Sequence, residues 1–398
     1  MVNCTITNTP IKVLHVLEAT GGGTKRHLLE LIQGTTASIQ HIVACPQQRY
    51  PAIYTEMMLS ELRDLNVEYH IVDMPRTISP WHDFKALLQL LRTLDDVHAD
   101  LIHVHSAKAG FVGRLAARLR HKRPVPVIYT PHGLYFLGQA GWRRLLYWLM
   151  EYVASYFTDC TIALSFSEQA ALISTHLATR DRIVLIENGI DEKKYVPPRW
   201  KGFHRRRLGL PSDGPIVGTV SRFAWQKDPE TLFLTAKQLI QTVPKLHFIW
   251  CGDGDSIELY RRRAEAEQIH DRLHILGFRP DVKDVLCCLD LFITASRFEG
   301  LPYSVLEAMA LAVPVVAIDV VGLRDVVLHD QTGVLVRTRS ADDLAEVSHN
   351  LLTDPDRCRA LGQKGRALVV EQFRLTKSLC RTEMLYHALA RPCPCERS

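Results

Sequence analysis

The chain has 398 residues, of which 47% are hydrophobic and 23% charged, with a formal net charge of +5. That length exceeds what one core normally fills, so two domains are expected, and the balance excludes a disordered or fibrous chain. So modest a charge argues against a dedicated nucleic-acid binder, and no run of ~18 or more apolar residues marks a membrane-spanning helix.

Met1 to Pro10 is polar, and the apolar run Ile11 to Leu17 behind it is too short and poorly flanked for a signal peptide. It is instead the first of a series of predicted strands: Ile11 to Leu17, Gln40 to Cys45, Tyr69 to Val72, Leu101 to His105, Val125 to Thr130 and Thr161 to Leu164. A second series runs through Ile216 to Val220, His247 to Cys251, Leu273 to Leu276, Leu291 to Ala295, Val313 to Ala317 and Gly333 to Val336. Helical patterns separate the strands in both series, which predicts repeated βαβ units and parallel sheets, an α/β protein. Between the series lies Tyr195 to Pro215, with Pro197-Pro198, the basic run His204 to Arg207 and a short helix expected over Phe203 to Leu208. Proline and charge make it the expected linker. The domains are expected at 1–198 and 199–371, followed by 372–398. Ten cysteines are scattered along the chain, Cys45 and Cys251 inside strands, which suits buried thiols in a reducing compartment. Cys393-Pro394-Cys395 reads as part of an unstructured tail.

The chemistry is expected where strands end. Glu18-Ala19-Thr20-Gly21-Gly22-Gly23-Thr24 follows the first strand and precedes a helix, so it is either a tight turn or a loop whose backbone approaches a ligand. It is not the dinucleotide fingerprint, because Arg26 fills the third glycine position. Thr130-Pro131-His132-Gly133 closes another strand, and its proline and glycine fix a loop that projects His132 at the carboxyl edge of the sheet. His103 and His105 alternate on one strand face as packing or supporting groups. In the second half Arg222 ends a strand and Lys227 follows shortly after, a pair of cations able to hold a diphosphate or, alternatively, a solvated basic turn. The most specific stretch is Phe298-Glu299-Gly300-Leu301-Pro302-Tyr303-Ser304-Val305-Leu306-Glu307. Pro302 starts a helix, and Glu307 lies a little over one turn inside it. Its carboxylate, purely an acceptor, matches the two hydroxyls of a ribose diol, while amides near Gly300 to Tyr303 are placed for phosphate or sugar oxygens.

Taken together and in this order, the glycine-rich loop, Thr-Pro-His-Gly, Asn188-Gly189-Ile190-Asp191, the Arg222 and Lys227 pair, and the two glutamates separated by seven residues resemble a retaining glycosyltransferase of family 4 with the GT-B fold. The resemblance covers nearly the whole chain. It implies two Rossmann-like domains facing across a cleft, with Gln372 to Leu389 as a final helix returning to the first domain. It also implies roles: Arg222 and Lys227 on the donor diphosphate, Glu307 on the ribose, Glu299 on the transferred sugar, and Gly300 and Leu301 among the donor-binding residues. Main-chain groups from Arg279 to Val282 would meet the base, Gly22 and Gly23 the phosphates or acceptor, and His132 the sugar from the opposite domain. Leu301-Pro302 replaces the Phe-Gly often found in the family, which removes one amide.

The implied reaction moves a sugar from a UDP- or GDP-sugar to a carbohydrate acceptor, lipid-linked in many relatives making surface polysaccharides. No cofactor or metal is expected. Asp253-Gly254-Asp255 imitates a metal-binding Asp-x-Asp, but it follows a strand of the second series, where cations already supply positive charge. The alternatives are a nucleotide-sugar epimerase, which needs no acceptor, and a non-catalytic sugar-nucleotide sensor, which releases no nucleotide. A dehydrogenase is disfavoured by Arg26. Trp142 to Phe157 is an aromatic helix beside Arg143 and Arg144, suited to an anionic membrane interface or to burial in the first domain. Arg114, Arg118, Arg120, Lys122 and Arg123 would add attraction to anionic lipid. The expected location is cytoplasmic, with peripheral contact at the inner face of the membrane.

Overall fold

The structure is a computed structural model that describes residues 9–47, 52–75, 79–120, 125–211 and 213–390. Its first series of elements is β1 (Ile11–Leu17), α1 (Gly22–Gly34), β2 (Ile39–Cys45), α2 (Ala52–Asp64), β3 (Glu68–Ile71), α3 (Pro80–Val97), β4 (Leu101–His105), α4 (Ala107–Leu119), β5 (Val127–Thr130), α5 (Gly141–Ser155), β6 (Cys160–Ala163), α6 (Phe166–Ser174) and β7 (Ile183–Leu185). The second is α7 (Lys201–Arg207), β8 (Ile216–Val220), α8 (Pro229–Thr242), β9 (His247–Cys251), α9 (Ile257–Ala266), β10 (Leu273–Gly277), α10 (Val282–Cys288), β11 (Leu291–Thr294), α11 (Tyr303–Ala310), β12 (Val315–Ile318), β13 (Val334–Val336), α12 (Ala341–Leu352), α13 (Pro355–Gln372) and α14 (Leu375–Ala390).

Two compact units result: Met1–Glu187 with Thr376–Ser398, and Asn188–Leu375. The expected boundary at residue 198 lies inside the second unit. There Asn188 Nδ2 donates to Leu301 O at 2.8 Å, and Ile190 bridges Arg374. Each unit holds one sheet, of seven strands in the order β3-β2-β1-β4-β5-β6-β7 and of six in the order β10-β9-β8-β11-β12-β13, and every strand pairing is parallel.

Central strands are buried on both faces because helices cover both, and in the first unit one of those faces carries His15 of β1 and His103 and His105 of β4. Leu14 and Val16 of β1 pack with Leu90, Leu94, Val112 and Ala116, while the next residue, Leu17, packs with Leu28, Met58 and Leu62. Each such burial stabilises by about 1.5–3 kcal/mol. Proline sets two strand starts later than the hydrophobic runs suggest. Pro126 precedes β5 and Pro314 precedes β12, and their carbonyls accept from Ile102 and Phe292. The expected list lacks β7, whose three residues are too few to show a period. Within the first unit, α14 closes against the sheet. Leu379 lies over Gly34, and the fully buried Tyr386 reaches His103.

Arg114 departs from the sequence expectation, and α5 follows one of the two alternatives its sequence offers. Arg114 is buried: its guanidinium stacks 3.9 Å from the Tyr129 ring centroid and pairs with Glu151 at 2.6 Å, so it offers nothing to a lipid surface. Arg120 pairs with Asp95 and Arg118 is exposed, while Lys122 and Arg123 lie outside the described residues. The apolar stripe of α5 is not buried: Trp142 is 70% exposed, Leu145 62% and Leu149 48%. Among the described residues no helix is long and apolar enough to cross a membrane, and the cysteines are free thiols. Cys393 and Cys395 fall outside the described residues.

Candidate functional site

In the second unit the strand order reverses between β8 and β11, where a doubly wound sheet opens a crevice at its carboxyl edge. Arg222 leaves the end of β8, half-buried, and Glu299 leaves the end of β11, buried. Lys227 closes a short 3-10 turn, Trp225–Lys227, and its Nζ donates to Glu299 Oε1. The two groups assigned from the sequence to diphosphate and sugar thus form one ion pair, with side chains only 16% and 7% exposed. The loops that carry them are laced together. Arg297 N donates to Gln226 O at 2.8 Å, Gln226 Nε2 to Phe298 O at 3.2 Å, and Arg297 pairs with Asp228 at 2.9 Å.

The Glu299-Gly300-Leu301 turn is braced from a loop that the sequence did not single out. Gly322 has φ +85°, and a Cβ there would stand 2.2 Å from Gly300 O and 2.8 Å from Glu299 O. Only glycine combines that backbone with so close an approach. Pro302 then caps α11, which buries Glu307 one turn further on. Glu307 Oε1 accepts from the Tyr195 hydroxyl. Tyr195 stood at the start of the expected linker, and nothing in its local sequence tied it to Glu307. Arg366 reinforces the contact by donating to Tyr195 O at 2.9 Å. Arg279 forms a fork to Asp281, both bonds 2.7 Å, which holds the Asp281 carboxyl below its usual range, and Val282 opens α10 directly after. Asp253 accepts from Gly254 N through its side chain and from Phe223 N through its carbonyl. Neither it nor Asp255 belongs to a group of three potential metal ligands among the described residues.

In the first unit the order reverses between β1 and β4. The glycine-rich loop follows β1, and α1 begins at Gly22 with φ +71° and Gly23 in its first turn. A Cβ on Gly22 would meet nothing within 4 Å, so the conformation rather than the space calls for glycine there. His132 follows β5 with φ +55°, half-buried. Its loop is clamped by Glu168, a fully buried carboxylate that accepts from Gly133 N at 3.0 Å and Leu164 N at 2.7 Å.

Behind His132 lies a histidine network. His105 Nδ1 is 3.1 Å from His132 Nε2, and His105 Nε2 is 3.1 Å from His15 Nδ1. His103 contacts the Tyr386 hydroxyl at 2.7 Å and the Thr130 hydroxyl at 2.8 Å. Burial, then the nearby imidazoles, hold His15, His103, His105 and His132 well below the usual imidazole range. His103 and His105 share one face of β4, as their alternation implies, and both are buried and hydrogen-bonded there. The part played by His15 depends on the register that sets it beside His103, and single-strand patterns carry no register. Ligand atoms of His15, His103 and His105, and of His27, His105 and His132, lie within 4.8 Å of one another. Both nitrogens of His15 and of His105 already face another ring, however, which is a hydrogen-bonded arrangement.

Two doubly wound units with their strand-end loops define a GT-B glycosyltransferase fold. The Anabaena protein Alr3699/HepE, in its complex with UDP and glucose, superposes with a TM-score of 0.79 at 20% identity, over 95% of this chain and 100% of the other. Residues 21–194 match the model of Glycosyltransferase Family 4, and residues 201–368 that of Glycosyl transferases group 1. The chain belongs to this glycosyltransferase family. It is 30% identical to the D-inositol 3-phosphate glycosyltransferase of Nocardia farcinica over 74% of this chain and 67% of that protein. It is also 27% identical to the Escherichia coli UDP-Gal:alpha-D-GlcNAc-diphosphoundecaprenol alpha-1,3-galactosyltransferase, over 96% and 97% of the two chains. Membership of a transferase family favours transfer over epimerisation or sensing.

Proposed function

We propose that this glycosyltransferase moves a hexosyl group from a UDP-sugar to a saccharide carried on a lipid diphosphate, with retention at the anomeric carbon. The observation that carries the reading is the Lys227–Glu299 pair at the β8/β11 reversal, in the loop that Arg222 begins at the end of β8. Arg222 and Lys227 would neutralise the diphosphate as it leaves, a fixed charge of the kind worth about 10²–10³ in rate. Glu307 would accept from the ribose hydroxyls and Glu299 from the sugar, with the amides of Gly300 and Leu301 nearby. Main-chain groups from Arg279 to Val282 would meet uracil, and Gly22 and Gly23 the phosphates or acceptor. His132 would meet a sugar hydroxyl. No metal is needed in this scheme, since the two cations carry the charge. The donor and acceptor classes draw support from the UDP-galactose and diphosphoundecaprenol of the E. coli relative.

A lipid-borne acceptor fits α5. Trp142, Leu145, Leu149 and Val153 form an exposed apolar stripe beside exposed Arg143 and Arg144, suited to the cytoplasmic face of an anionic membrane. The test is turnover of a panel of UDP- and GDP-sugars with a polyprenyl-diphosphate saccharide. A UDP-sugar should yield UDP and glycosylated lipid together. Conversion of the nucleotide sugar without acceptor, or binding without nucleotide release, would defeat the reading.

A further inference from the structure

A continuous line of hydrogen bonds runs inside the first unit from the end of α1 to His132. Thr35 Oγ1 lies 2.9 Å from Leu31 O and 2.7 Å from His41 Nε2. His41 Nδ1 is then 2.9 Å from His15 Nε2, His15 Nδ1 is 3.1 Å from His105 Nε2, and His105 Nδ1 is 3.1 Å from His132 Nε2. Every ring-to-ring contact joins the Nδ1 of one imidazole to the Nε2 of the next. A neutral imidazole has one N–H and one lone pair, so an unbroken line requires every ring to carry its proton on the same atom. Burial keeps these rings neutral: His15, His105 and His132 lie well below the usual range, and His41 is lowered to about 4.

The Thr35 end selects the direction. Leu31 O can only accept, and Thr35 has a single hydroxyl proton. When that proton goes to Leu31, His41 must donate from Nε2, and so must His15, His105 and His132. The opposite direction would set oxygen lone pairs of Thr35 and Leu31 against each other at 2.9 Å. We propose that Thr35, His41, His15 and His105 are positioning residues that hold His132 as its Nε2–H tautomer, leaving the Nδ1 lone pair to accept from a substrate hydroxyl. The use of that lone pair rests on the reading of His132 as a sugar-contacting residue. The tautomer itself follows from the chain alone.

Long-range ¹H–¹⁵N NMR of histidine-labelled protein reads the tautomer, with the His132 signal assigned by its loss in His132→Ala. The wild type should carry the His132 proton on Nε2. Thr35→Val removes the anchoring hydroxyl and should change the tautomer ratio at His132 on the order of tenfold, the worth of one hydrogen bond. The fall in kcat should track the lost Nε2–H fraction, and Thr35→Ser should restore both. His41→Leu cuts the line one ring further in and predicts the same shift if Thr35→Val does not fold. An Nδ1–H His132 in the wild type, or a ratio unmoved by the cut, overturns the proposal. So does a switched tautomer at unchanged kcat in a protein that His132→Ala inactivates. Should His132→Ala itself retain full turnover while the tautomer behaves as expected, the assignment of His132 to the sugar fails and the tautomer-setting chain stands.

Discussion

Replacing Lys227 with alanine separates what its cation does for the fold from what it does for the donor. The Lys227 and Glu299 side chains are 16% and 7% exposed, so the pair is effectively out of water. Removing one partner of a buried pair leaves an uncompensated charge, and such losses run to about 3–5 kcal/mol. Lys227→Ala should therefore lower unfolding stability by that order. The double variant Lys227→Ala/Glu299→Gln, which has no stranded carboxylate, should recover most of it. Turnover should behave differently. The donor diphosphate would lose one of its two proposed cations in both proteins, and the double variant would also lose the carboxylate proposed for the sugar, so kcat/KM should stay down at least about 10²-fold in each. Urea unfolding and a coupled assay of UDP release, run on the three proteins, give both quantities. Recovery of turnover along with stability in the double variant would refute the reasoning, because Lys227 would then be a structural counter-ion only.

Glu307→Gln keeps the Tyr195 contact in shape but removes the charge, and should weaken UDP binding about 10–100-fold by calorimetry; unchanged affinity would detach Glu307 from the ribose. Gly322→Ala puts a Cβ 2.2 Å from Gly300 O at a φ of +85°, so the Glu299 turn must shift. A loss on the order of 10²-fold in kcat/KM with unaltered far-ultraviolet circular dichroism is expected, and full activity would show that the turn does not set the geometry. Acid should destabilise the first unit. Its buried histidines have folded pKa values below the usual 6.5, so the unfolded chain takes up protons first. Their stability contribution is fully present above about 6.5 and lost as pH falls, by ~1.4 kcal/mol per pH unit for each histidine. For His41, lowered to about 4, this amounts to roughly 3 kcal/mol. Urea midpoints measured from pH 7.5 to 5 that do not fall, or that fall equally in His41→Leu, would contradict the assignment.

Most of the fold was legible because both sheets are parallel and largely buried on both faces, so their strands appear as short, mainly apolar runs between helical periods, even where a histidine interrupts them. The candidate residues were legible by position where strands end, as at Arg222, Lys227 and Glu299 in the second unit and His132 in the first, while their roles are proposals. What stayed hidden depends on contacts between distant segments. Glu307 meets Tyr195 across 112 residues, and Gly322 supports Gly300 from another loop. The histidine line needs the register of β1 against both β2 and β4. Arg114 looked like one more surface cation, and only its stacking on Tyr129 and its bond to Glu151 reveal a buried one.

In the proposed reaction the donor diphosphate is held at the carboxyl ends of β8 and β11. Calorimetric titration of UDP and of uridine into the wild type and into Arg222→Ala/Lys227→Ala tests that claim most directly. On the proposed reading each cation would make charge-assisted hydrogen bonds to phosphate and none to uridine, so UDP affinity should fall at least ~10²-fold while uridine affinity is unchanged. UDP binding that survives the double substitution, or that falls only in parallel with uridine, would contradict it.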